Sequence, residues 1–167
     1  MGGNVRPELP LGDLVDVFDS LRVPVKSSDR KPGPYPYYGA SGITDYVESY
    51  IFEGEHLLLS EDGDNLRTRK TPIAFLADGK FWVNNHAHIL RANEENNTKY
   101  LCYALQVADI TSYLSGSTRP KLNQKDMIRI PIYVPPLPEQ KAIAHVLDTL
   151  DDKIELNRRM NETLEGM

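Results

Sequence analysis

Two histidines one residue apart, His86 and His88, follow the acids Asp62 and Asp64 in the chain, and their types suit metal-assisted hydrolysis. On a strand, residues two apart share a face, so the pair offers two nitrogen ligands to one ion, completed by a carboxylate in a small metal-dependent nuclease. His56, His145 and Cys102 do not extend the set. Two histidines without nearby cysteines or well-spaced acids are usually structural, and no metal is expected. A second pattern is cationic. Asn65, Arg67, Thr68, Arg69 and Lys70 follow the Asp62-Gly63 turn, and Ser117, Thr118, Arg119, Lys121, Asn123 and Lys125 form another group. Arginine matches guanine through paired donors and Asn matches adenine, whereas Lys, Ser and Thr mostly hold phosphates. Asn84 and Asn85, just after the only tryptophan, add two further amides. All of these are candidate DNA contacts.

Such side chains need a rigid body behind them. The 167 residues, 40% hydrophobic with nine tyrosines, allow one ordinary domain plus an extension. The formal net charge of −5 argues against indiscriminate nucleic-acid binding, which needs a broad basic surface. The charge is uneven, however. From Glu139 onward seven acids face four bases, while the preceding part is close to neutral with its bases clustered. A single cysteine excludes a disulfide framework, no apolar run reaches membrane-spanning length, and the N-terminus lacks a signal-peptide layout. A cytoplasmic protein is expected.

Leu11, Leu14, Val15 and Phe18 fall at helical spacing and predict a short amphipathic helix over 9–18. Residues 20–42, rich in Pro, Gly and Tyr, read as an ordered loop. Tyr35, Tyr37 and Tyr38 within it suit either burial or packing on a sugar–phosphate edge. Apolar runs at 43–51, 56–59, 73–76, 81–83 and 88–90, broken by Asp62-Gly63-Asp64 and Asp78-Gly79, predict strands and hairpins. The period then lengthens, predicting a helix over 98–114 with Thr98 as N-cap and Gly116 beyond its end. A loop over 115–123 and a strand over 127–134 follow.

After Pro135-Pro136-Leu137-Pro138 the period is helical to the end of the chain. Ile143, Leu147, Leu150, Ile154, Asn157, Asn161 and Leu164 step by four and three, a narrow seam carrying two asparagines of the kind that set register in coiled coils. The fold class expected is α+β: a small mixed recognition domain over 1–136, then a long helix over 137–167 that pairs with a second helix. Packing of that helix on its own domain is the plainer alternative.

Four segments together resemble the specificity subunit of type I DNA restriction–modification systems. They are YPYYGASGITDYV (35–47), LLLSEDGDN (57–65), FWVNNHAHIL (81–90) and GSTRPKLNQKDMIRIPIYVPPLPEQKAIAHVLDTLDDKI (116–154), the last being the most specific. The resemblance implies a target recognition domain followed by one conserved helical region. Full subunits of that family have two such units, whose long helices pair antiparallel as a ruler between two half-sites. One unit fits a natural half-subunit or a fragment, and the stop inside a helical pattern favours a fragment. The implied partners are double-stranded DNA, modification subunits and restriction subunits. S-adenosylmethionine, ATP and magnesium are expected on those partners, since this chain shows no Gly-rich S-adenosylmethionine loop, no amino-methyltransferase motif and no P-loop. A motif shared among subunits with different targets, such as 84–86, implies support of the fold or the DNA backbone. A helix-mediated adaptor that binds no DNA is the remaining alternative, beside the nuclease.

Overall fold

The computed structural model of the protein describes residues 7–166. Residues 1–6 and 167, the outer ends of the two expected domains, lie outside the described residues.

The chain enters as strand β1 (Glu8–Pro10), a 3-10 turn (Leu11–Asp13) and strand β2 (Val15–Val17), so the expected α-helix over 9–18 does not form. Pro10 and Gly12 interrupt it, and both strands find partners elsewhere. β1 pairs with β12 (Pro131–Tyr133) and β2 with β9 (Ala87–Ala92), both antiparallel. Leu11, Leu14 and Val15 are buried, so the apolar spacing reported burial and not helical form.

The segment expected as a loop over 20–42 contains β3 (Pro32–Gly39), which pairs with β4 (Gly42–Val47) across the Gly39–Gly42 turn. Pro32, Pro34 and Pro36 are tolerated because the pairing with β4 is irregular between Pro32 and Tyr35, where both residues face Val47. The other edge of β3 meets β8 (Lys80–Val83) only beyond the prolines, in parallel pairing at Tyr37 and Tyr38. β5 (Phe52–Glu53) closes this sheet in the order β4-β3-β8-β5.

The second sheet runs β2-β9-β6-β7, with β6 (His56–Ser60) at its centre and β7 (Ala74–Ala77) at its edge. Every residue of β6 is buried, because both faces of this sheet are covered. Leu57 and Leu59 face one core with Leu11, Leu66, Leu101 and Leu105, whereas Leu58 faces the other with Phe52, Phe81 and Ile89. Stacked Phe52–Phe81 rings, centroids 5.6 Å apart, lie in this second core.

Helix α1 (Asn65–Thr68) is a single turn after β6, and α2 (Thr98–Val107) packs on the first core through Leu101 and Leu105. The N-cap of α2 is Asn97, whose side chain accepts from Tyr100 N–H, one residue before the expected Thr98. The helix stops at Val107 and not Leu114: Asp109 accepts from Thr111 N–H and turns the chain into a 3-10 step at Thr111–Tyr113. β10 (Leu114–Ser115) and β11 (Lys121–Leu122) then pair across the 116–120 loop. The strand expected over 127–134 is divided: α3 (Gln124–Met127) takes its start, and β12 covers only Pro131–Tyr133.

Helix α4 (Leu137–Glu165) begins with Pro138 in its first turn, where its missing N–H costs nothing. At 1.5 Å per residue its 29 residues span about 43 Å. Only Gln140 and Ala144 are buried, and from Thr149 on every described residue is exposed. Its base is fixed by Gln140, which donates to Asn96 and the Pro135 carbonyl and accepts from Asn97 N–H. Lys99–Asp148 and Tyr103–Asp151 contacts, both 2.7 Å, hold the next two turns to α2. Beyond them the helix leaves the body as an arm.

Candidate nucleic-acid interface

The two basic loops separated by some fifty residues in sequence meet in space. Gly63 N–H donates to the Pro120 carbonyl, Leu122 N–H to the Glu61 carbonyl, and Asp62 forms a bridge with Lys121. Arg67 crosses the junction, donating to the carbonyls of Gly116 (2.6 Å) and Ser117 (3.0 Å). Gly116 sits at φ +80°, and an added Cβ there would meet the Arg119 carbonyl oxygen at 2.3 Å. A glycine is therefore required for the loop to close on itself.

Two adjacent acids organise the basic side chains around this junction. Glu61 pairs with Arg22 at 2.5 Å and with Lys121 at 3.3 Å. Asp62 accepts from Arg119 and from His86 Nδ1, both at 2.8 Å. Burial pushes the Asp62 carboxyl up, but the hydrogen bonds and charges of His86 and Arg119 outweigh it and hold the group below the usual carboxylate range. The Asn84–His86 turn is thus joined to the basic loops through Asp62. Within it Asn84 accepts from the His86 N–H, while Asn85 is exposed.

Not every expected contact lies on this face with a free end. Arg69 adopts φ 50° and sends its guanidinium to the carbonyls of Leu105, Gln106 and Ala108 at the end of α2. It caps a helix, and its charge suits that end of the dipole. Asn65 is tied to Thr71 through both its oxygen and its amide. Asn123 donates to Ser115 Oγ and stabilises the loop from below. Thr68, Lys70, Ser117, Thr118, Arg119, Lys121 and Lys125 are exposed.

The nuclease arrangement is not formed. His86 turns to Asp62, whereas His88 is 1% exposed and sits between Asp19 Oδ2 (2.6 Å) and the Leu122 carbonyl (2.7 Å). Both ring nitrogens of His88 are already engaged inside the fold, so neither is turned to an open ligand position. Asp19, Glu61 and His88 do converge, but Arg22 and Lys121 already balance the two carboxylates. Burial raises the Asp19 carboxyl, and His88, the Ile89 N–H and Arg22 together bring it below its ordinary value. This is a structural lock between β9, the 18–22 turn and β11.

Sequence reading missed Arg22, Lys26 and Arg30, which lie beside the Asn84–His86 turn. They lie in the 20–42 stretch, whose prolines and glycines read as a loop. Arg22 donates to Glu61 and the Ala87 carbonyl. Arg30 lies 4.2 Å from the Tyr37 ring centroid and bonds the Val25 carbonyl and Asp45. Tyr37 is accordingly a buried anchor, not a DNA-facing ring.

Along α4, Ile143 packs on the core of its own body and Leu147 lines the adjoining groove with Tyr103 and Val107. These two expected pairing residues serve their own domain in part. Leu150, Ile154, Asn157, Asn161 and Leu164 are exposed on the arm.

Fold and surface together define a two-sheet α+β body that carries a basic loop face and a projecting helical arm. The chain belongs to the type I restriction modification DNA specificity domain family, whose model matches residues 8–166. A Haemophilus influenzae protein named as a type I restriction enzyme specificity subunit is 41% identical over 141 residues, covering 84% of this chain and 36% of that protein. The EcoprrI specificity subunit of Escherichia coli is 28% identical over 120 residues, 70% of this chain and 28% of that subunit. The crystal structure of a type I restriction-modification system S subunit from M. genitalium superposes with a TM-score of 0.72 at 19% identity, covering 93% of this chain and 41% of that one. This chain therefore spans well under half the length of these proteins. Among the described residues no helix is long and apolar enough to cross a membrane.

Proposed function

We propose that this chain supplies one non-catalytic DNA-recognition unit of a type I restriction–modification complex. It reads one half-site of a bipartite target with the face built by the 62–70 and 116–125 segments. Body (1–136) and arm (137–167) divide the labour, the arm setting the spacing by pairing with a second helix. The observation that carries this reading is the family match, which runs unbroken through both body and arm. Modification subunits dock on the chain and bring S-adenosylmethionine; restriction subunits bring ATP and magnesium. A cytoplasmic location follows from that role. With a net charge of −5, the partners supply part of the affinity for DNA.

The test is replacement of Arg119, Lys121 and Lys125 together by alanine. All three are exposed, so the fold and co-purification with the modification subunit should survive while DNA binding falls. DNA binding that is unchanged, with assembly intact, would leave only a helix-mediated adaptor.

A further inference from the structure

A cleft of about 370 Å³ opens beside the basic loops, lined by Val25, Lys26, Arg30, Asn84, Asn85 and His86 among others. No carboxylate lines it. Three of the lining residues have a polar end without a hydrogen-bond or ion-pair partner among the described residues: Lys26 Nζ, the Asn85 amide and His86 Nε2. Arg30 adds charge, but its guanidinium is committed to Val25 and Asp45. Donors and cations around an acid-free recess fit a phosphate group.

We propose that this cleft clamps one phosphate of the DNA backbone, and that closing it takes up a proton on His86. The inference rests on the DNA-recognition reading and adds to it a positioning contact that is blind to sequence. Asp62 supplies the linkage. It accepts at 2.8 Å from His86 Nδ1, which must therefore carry a hydrogen. For Nε2 to donate to a phosphate the ring needs a second proton. The charged groups at the ring are Asp62, from the segment after β6, Arg119 of the 116–120 loop through its shared bond to Asp62, and Lys26 and Arg30 of the 24–30 loop, which line the cleft beside it. Asp62 is shared with Arg119, so the same carboxylate orients a donor on each side of it. Affinity should accordingly rise as pH falls and weaken as pH rises, by at most tenfold per pH unit for one linked proton.

The experiment measures binding of the full chain, alone and with its modification subunit, to a fluorescent mixed-sequence duplex between pH 6 and 8 and between 50 and 200 mM salt. Lys26→Ala should lower the salt slope by about 0.9, so that it loses about 3.5-fold less affinity than wild type across that range. His86→Gln, which cannot gain a proton, should flatten the pH profile and leave the salt slope at high pH unchanged. Lys26 is exposed and has no partner to lose, so that variant folds. Salt slope and pH profile both unmoved by the two variants, with duplex binding intact, would overturn the clamp alone. Absence of duplex binding by wild type in either form would overturn the DNA reading as well. Inorganic phosphate at 10 mM and constant ionic strength should not displace the duplex. Displacement that is lost in Lys26→Ala would assign the cleft to a free anion and overturn the backbone clamp.

Discussion

Replacing Leu150 and Ile154 together by aspartate separates an intermolecular seam from a solvated helix. Each residue is about half exposed on the arm, 49% and 48%, and neither touches the cores of the body. Full burial of such a side chain contributes about 1.5–3 kcal/mol, so covering the exposed half contributes about 0.8–1.5 kcal/mol. A two-fold pair of arms buries each position twice, giving roughly 3–6 kcal/mol over four sites. At about 1.4 kcal/mol per tenfold, self-association should weaken by about 10²- to 10⁴-fold, before the cost of burying the new carboxylates. Sedimentation velocity over a concentration series reads this directly. Thermal unfolding of the monomer should barely move, because the substituted positions are exposed in it. A monomer–dimer equilibrium unchanged by the double variant would refute the pairing role of the seam.

Other substitutions test the division between structural and DNA-facing residues. Arg69→Ala removes the three carbonyl contacts at the end of α2, and should lower stability by about 1–2 kcal/mol in urea unfolding while duplex binding at low temperature persists. His88→Ala takes the imidazole from the buried Asp19 carboxylate, leaving it the Ile89 N–H and Arg22, and should cost about 1–3 kcal/mol by the same measurement. Because the Asp19 carboxyl is held below its ordinary value in the folded state, its contribution is present at neutral pH. In wild type it should be lost only as acid titration passes below about pH 4. Burial, with the nearby Asp151 and Glu55 charges, pushes the Cys102 thiol up to about 12. The native protein should therefore be inert to a thiol reagent at pH 8 and react fully once unfolded.

The long helix, its Pro-led start and the strands over 42–92 were legible because each rests on a local signal: fixed φ, period, or a turn residue. The opening segment was not. Leu11, Leu14 and Val15 have helical spacing, yet they are buried from a strand–turn–strand whose partners lie some 75 or more residues away. β3 was missed because prolines argue against a strand, and only the fold shows that they fall at a bulge against β4 and before the pairing with β8 begins. The two basic clusters were visible as clusters, but their junction depends on Gly63–Pro120 and Asp62–Arg119 contacts that no spacing reveals. Arg69 illustrates the reverse error. Its type and company suggested DNA, and its left-handed backbone delivers it to a helix end instead. Lys26 carried no signal at all until the fold set it beside Asn85 and His86.

The most direct test of the central claim is site selection from a randomised duplex library by the chain assembled with its modification subunit. A paired-arm dimer should enrich a bipartite motif whose two half-sites are inverted copies at fixed spacing, one for each body. An intact assembly that enriches no sequence would contradict it.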